Sequence, residues 1–215
     1  ARMATTLDCG IKPELHDSVT LLKKELADTA LKERAKLRPE QRYLRGVFCG
    51  GTHSEEAVAL LQQFVPNLHS NIRFGKAELL KNSRQSIENT LVDMGDEEFT
   101  KGKPHPVMDP SILNERLLQE SRDPEVGVIL FDLILGHSAV HPDPVGTIEE
   151  TLRHIMKTSK AEGRPICLVA SVCGTDLDPQ GLEKQTIRLQ NLGVRVLQSN
   201  CRAALLAGLI VTEEA

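Results

Sequence analysis

The 215-residue chain has no tryptophan, a single tyrosine, Tyr43, and only 3% aromatic residues. Stacking platforms for bases or sugar rings are therefore excluded as its main means of recognition, and its core must be aliphatic. Positive charge is not in excess either: 26 Lys and Arg against 30 Asp and Glu leave a net charge of −4. That balance argues against a nucleic-acid partner, because such domains carry basic patches. No apolar run approaches the roughly 20 residues that span a bilayer, which excludes a helical membrane protein. The five cysteines, Cys9, Cys49, Cys167, Cys173 and Cys201, form no CxxC pair, so no metal is expected. Cys49 and Cys167 fall in apolar runs, where a free thiol behaves as a small hydrophobe, and the odd count fits a cytoplasmic setting. Ala1-Arg2-Met3 is followed by no apolar segment of the signal-peptide kind.

What is present is a 40% hydrophobic share with a clear alternation of patterns. Leu15, Val19, Leu22, Leu26, Ala30 and Leu37 recur at helical spacing among charged residues, which predicts an amphipathic first helix over 15–37. Five apolar runs then read as strands: Leu44–Cys49, Asn89–Asp93, Val126–Leu133, Ile166–Val172 and Val194–Leu197. Helical stretches over Ser54–Phe64, Ser111–Ser121, Val145–Glu162, Pro179–Leu192 and Arg202–Val211 separate or follow them, and Lys76–Leu80 suggests a further short helix. Asp109-Pro110, Asp143-Pro144 and Asp178-Pro179 read as helix starts, with Asp capping orphan amides and Pro losing nothing at the first helical position. Runs such as Val128–Phe131 lack polar alternation and must be buried on both faces. The pattern predicts an α/β protein, a three-layer α/β/α sandwich on a five-stranded parallel sheet in the order 2-1-3-4-5.

In such a sheet, ligands bind beyond the carboxyl ends of the strands. After the first strand stand Gly50, Gly51, Thr52 and His53. Glycines permit close backbone approach, and first-turn amides suit a phosphate or carboxylate. The same residues also fit a tight strand-to-helix turn. There is neither a GxGxxG fingerprint nor a Walker lysine, so no nucleotide is specified. The long second loop brings Lys101, Lys103 and His105, read either as groups that neutralise an anion and move a proton or as a solvated linker ahead of a capping Asp109. The third strand ends with Asp132, placed to orient a base or to hold a buried hydrogen bond. Gly136, His137 and His141 follow it, while Cys173, Gly174, Thr175 and Asn200 stand after the last two strands. Taken together, His105, His141 and Asp132 are the candidate catalytic groups. Gly50, Gly51, Thr52, His53, Lys101, Lys103, Gly136, His137, Gly174, Thr175 and Asn200 are the candidate binding groups.

In order along the chain, Arg45-Gly46-Val47-Phe48-Cys49-Gly50-Gly51-Thr52, the stretch from Asp96 to Pro106, Leu135-Gly136 with His141-Pro142-Asp143-Pro144, and Val172-Cys173-Gly174-Thr175 with Asp178-Pro179-Gln180 resemble the FdrA family. Its members are relatives of the succinyl-CoA synthetase α subunit. The resemblance covers residues 40 to 212 and implies a flavodoxin-like CoA-ligase domain over 41–215, with residues 1–40 as a helical connector. It implies acyl-CoA synthetase-like activity, or transfer of a carbamoyl or acyl group to or from phosphate as in oxamate carbamoyltransferase of allantoin and purine catabolism. The ligands so implied are CoA or carbamoyl phosphate, and the partners are other subunits or domains of one enzyme or a second copy. A non-catalytic assembly module is the alternative. Where succinyl-CoA synthetase carries its phosphorylated histidine, this chain has Cys173-Gly174-Thr175.

Overall fold

The computed structural model describes residues 13–137 and 140–212; Cys9 and the Ser138-Ala139 part of the third loop lie outside them. Along the chain run α1 (Pro13–Arg34), β1 (Tyr43–Phe48), α2 (Gly51–Leu61), β2 (Leu68–Ser70), β3 (Glu78–Leu79), β4 (Asn89–Asp93) and α3 (Glu97–Thr100). Then follow α4 (Ser111–Ser121), β5 (Val126–Ile134), α5 (Pro144–Ala161), β6 (Cys167–Cys173), α6 (Leu182–Asn191), β7 (Arg195–Leu197) and α7 (Asn200–Val211).

The strands pair in parallel in the order β3-β2-β4-β1-β5-β6-β7. The five strands read from the sequence are β1, β4, β5, β6 and β7, and their mutual order is the doubly wound one. The sheet has seven strands rather than five, because β2 and β3 extend its β4 edge. The short helix expected over Lys76–Leu80 is instead β3, whose Glu78 and Leu79 pair with His69 and Ser70. Strands of three and two residues are too short to display a period, so the sequence gives no signal for them.

Two apolar clusters fill the two faces. One joins Leu113 and Leu117 of α4, Ile148 and Leu152 of α5 and Leu189 of α6 to the sheet. The other joins Ala57, Val58 and Leu61 of α2 to the buried run Ala203–Ile210 of α7, and takes in Leu26 and Ala30 of α1. A helix apolar all round must be covered all round. The sheet, α2 and α1 all contact α7, and the side chain of Arg34 at the end of α1 donates to the carbonyl oxygens of Leu209, Ile210 and Thr212. Gly208 permits the close approach of α2, since a Cβ there would lie 2.4 Å from Leu61 Cδ2.

Two of the three Asp-Pro pairs mark helix starts. Asp143 accepts from the Gly146 amide at 3.3 Å at the head of α5, and Asp109 accepts from the Ser111 amide at 3.1 Å where α4 begins. Asp178 departs from the expectation. It accepts the Thr175 amide at 2.6 Å and closes a turn, so that α6 starts only at Leu182, after Gly181 has reversed the chain at φ 73°. Under the sheet, Arg45 of β1 is 1% exposed and pairs with Glu120 at 3.1 Å and Asp123 at 2.7 Å. Arg116 binds the other oxygen of Glu120, the Ser83 carbonyl and the Ser86 hydroxyl. This buried network ties β1, α4 and the 83–86 loop together.

Candidate functional site

Because β1 and β5 are parallel neighbours, the turn at Gly50 and the loop after Ile134 lie on one rim of the sheet. Asp132 is the single charged residue within β5, flanked by Phe131 and Leu133, and is fully buried. A buried carboxylate needs partners, and the turn after β1 supplies them: the Cys49 amide donates to Asp132 Oδ1 at 2.6 Å and the Gly50 amide to Oδ2 at 3.1 Å. The third partner is His53 in the first turn of α2, whose Nδ1 lies 2.7 Å from Asp132 Oδ2. The His53 side chain is 20% exposed, so the ring bridges the buried acid and the surface. The hydrogen bond to Asp132 raises the His53 pKa above the usual imidazole value, outweighing burial; the charges of Asp132 and Glu56 add to the rise.

On the other side of β1 a second acid, Asp93, closes β4. It accepts the Gly95 amide at 2.8 Å, while its own main chain is bracketed by the Asn71 side-chain amide. Burial pushes the Asp93 carboxyl up, against the Gly95 hydrogen bond and the charge of His105. His105 reaches this corner because Gly95 has no side chain: a Cβ there would lie 2.6 Å from His105 Nε2. The first-strand exit is thus walled by two carboxylates, each with a histidine nearby.

The tautomers set by the surroundings differ. His53 Nδ1 faces a carboxylate and carries the proton, which leaves the Nε2 lone pair of the neutral ring free. His105 Nδ1 instead accepts the Val107 amide at 3.3 Å, and His141 Nδ1 accepts the Asp143 amide at 3.1 Å. In their neutral forms both rings therefore present N–H at Nε2, a donor rather than an acceptor.

Several groups expected to face a ligand are already engaged within the protein. The Gly50 amide is held by Asp132, and a Cβ on Gly51 would lie 3.0 Å from Asp93 Oδ2. The Gly136 amide donates to Gln180 Oε1 at 3.2 Å, and Gln180 Nε2 donates back to the carbonyls of Gly136 and His141. Thr175 is bonded through amide and hydroxyl to Asp178, and Gly174 packs on Leu135. Asn200 is buried and donates to the His53 carbonyl and to Glu56. Thr52, Lys101 and His137 are exposed. Lys103 lines a hollow of about 250 Å³ with Phe99, Pro104, Asp109 and Glu115. Cys173 is exposed, but burial of its thiol and the charges of Asp132 and Asp178 push its pKa up, which disfavours a nucleophilic thiolate. Among the described residues no group of His, Cys, Asp and Glu could hold a metal ion, and no helix is long and apolar enough to cross a membrane.

The sequence exposes Asp132 as an acid within an apolar strand, yet does not reveal that His53 is its partner. The only sequence signal for the pair is that a charge in such a strand requires a donor from a neighbouring turn. Gln180 has no such signal; it follows an Asp-Pro pair and reads as a helix-start residue.

Comparison with known proteins bears on what this rim serves. An uncharacterised protein of Escherichia coli (strain K12), YahF, is 41% identical over 207 residues, which make up 96% of this chain and 39% of that protein. The chain thus spans about two fifths of the length of the relative it matches. Residues 47–210, from β1 through α7, match the CoA-ligase family, so the rim just described is that of a CoA-ligase domain, and the chain belongs to that family.

Proposed function

We propose that this chain is the ligase-type domain of a longer enzyme that joins a carboxylic acid to the thiol of CoA through an acyl phosphate, with His53 as the base. The observation that carries the reading is the 2.7 Å contact of His53 Nδ1 with a buried Asp132 that also binds the two main-chain amides just after β1. A carboxylate so held fixes the ring and stabilises the imidazolium formed when Nε2 takes a proton. In the step proposed, His53 Nε2 takes the thiol proton, sulfur attacks the acyl carbonyl, the C–O bond to phosphate breaks, and the departing phosphate receives the proton from the ring. First-turn amides of α2 at Gly51 and Thr52 stand where phosphate charge is stabilised. His105 and His141 act as N–H donors in this scheme, and Lys101 and Lys103 contribute positive charge from the second loop.

The finer FdrA-type reading is transfer of a carbamoyl group to or from phosphate. It is supported by the Asp96–Pro106 stretch and by Cys173-Gly174-Thr175, a loop without histidine. It uses the same pair, since an amine or thiol acceptor loses its proton to the same nitrogen. The test is thioester formation from CoA, nucleotide and a panel of acids by the full-length protein, with carbamoyl phosphate as an alternative donor. His53→Ala and Asp132→Asn should each lower turnover at least 100-fold. Full activity in both folded variants would refute the role of the pair and favour an assembly module.

A further inference from the structure

Five buried side-chain atoms among the described residues lack a hydrogen-bond partner, and three of them, Ser54 Oγ, Ser171 Oγ and Asn200 Oδ1, belong to residues that adjoin His53 or Asp132 in the chain, the strand register or the hydrogen bonding. Ser54 follows His53 in α2, Ser171 stands opposite Asp132 in the β5–β6 register, and Asn200 opens α7 beside the first turn of α2. Such unsatisfied buried polar groups are unfavourable for folding, and departures of this kind gather at functional sites.

Asn200 is the most informative of the three. It is 5% exposed, and its Nδ2 donates to the His53 carbonyl at 2.9 Å and to Glu56 Oε2 at 2.8 Å. The cap of α7 is provided separately by Ser199, which accepts from the Arg202 amide. Asn200 is therefore not needed to start its own helix. An apolar residue at this site would fill the space without leaving Oδ1 unpartnered. Both bonds made by Asn200 go to the turn of α2 that carries His53.

We infer that Asn200 is a positioning residue for His53: its amide clamps the first turn of α2 against the head of α7 and aims the Glu56 carboxylate toward the ring, rather than contacting a substrate. The charged groups that act on the ring are Asp132 from β5 and Glu56 from α2; on the neighbouring α7, Cys201 feels both Glu56 and Arg202, and Arg202 is itself paired with Glu25 of α1 at 2.9 Å. Releasing the clamp lets the turn withdraw from Asp132 and frees Glu56 to swing into solvent. Both changes lower the affinity of His53 for a proton. The functional meaning rests on the proposed role of His53; the placement does not, and it is tested without any turnover.

The experiment is a proton-NMR titration of the His53 ring in the full chain, with Asn200→Leu and Asn200→Ser compared against the unsubstituted protein and with melting followed in parallel. Asn200→Leu should move the midpoint down by about 0.5 pH unit or more. Glu56→Gln, which keeps an acceptor for Asn200 but removes the charge, should move it down less. Should Asn200→Leu not fold, Asn200→Ser decides, since it also cannot reach both partners. A folded variant lacking the amide whose His53 midpoint coincides with that of the unsubstituted protein would overturn the inference. A shifted midpoint with undiminished turnover would instead uphold the placement and refute the proposed role of His53.

Discussion

The two histidine–carboxylate corners that flank β1 look alike in composition and differ in what holds the ring. At the β5 corner, His53 is fixed to Asp132 through Nδ1, and Asp132 is fixed in turn by the Cys49 and Gly50 amides. At the β4 corner, His105 rides on an irregular loop, its Nδ1 engaged by the Val107 amide, and it influences Asp93 through charge. A helix-borne ring bound to a strand-borne acid is preorganised, whereas a ring on a loop takes its orientation from the loop itself. The difference also decides which nitrogen carries the proton, and hence which corner can act as a base.

Removing the acid from each corner should separate them most sharply. Asp132→Ala leaves two main-chain amides and His53 without their partner and should cost about 3 kcal/mol, read by denaturant unfolding. Asp93→Ala removes the acceptor of one amide, from a carboxyl already disfavoured by burial, and should cost about 1 kcal/mol. Equal losses would show that the corners are equivalent. Next in size, Gly95→Ala drives a Cβ against His105 Nε2, Asp93 Oδ1 and the Cys49 carbonyl; it should destabilise by roughly 1–2 kcal/mol and displace the His105 ring resonances while leaving those of His53 in place. Nitrogen-15 shifts of the neutral rings should show the proton on Nδ1 in His53 and on Nε2 in His105 and His141; the same tautomer in all three would break the comparison.

The smallest effect concerns pH. The folded-state pKa of His53 is raised above its unfolded value of about 6.5. Its contribution to stability is therefore complete below that value and is lost as pH rises through the folded pKa. The melting-temperature gap between the unsubstituted protein and His53→Gln should be widest in mild acid and narrow toward alkaline pH.

Much of this arrangement is legible in the residues. The strands buried on both faces, the Asp-Pro starts at 109 and 143, and the order of the five main strands follow from burial, capping and crossover rules. β2 and β3 do not, because their few residues pair only where β4 offers an edge. Asp178 shows that the same dipeptide serves a turn when a glycine downstream can start the helix instead. In the site, Asp132 is conspicuous as an acid in an apolar strand. Its union with His53 depends on how far the first turn of α2 leans over the sheet, which no local pattern encodes. The amides of Gly50 and Gly136, which read as ligand donors, are matched by Asp132 and Gln180 from distant segments, and the Arg45 network is likewise assembled only by the fold.

The contact between α1 and α7 bears on how this domain is to be handled. Residues 1–40 read as a connector in the sequence, yet Leu26 and Ala30 are buried against the cluster that contains α7, and Arg34 fastens the far end of that helix. A shortened version beginning at Pro39 would strip an oily flank bare and unpin the helix whose opposite end reaches the His53 turn. We expect such a trimmed protein to be sticky in solution, with a slackened reactive rim, even though every residue of the rim itself would still be present.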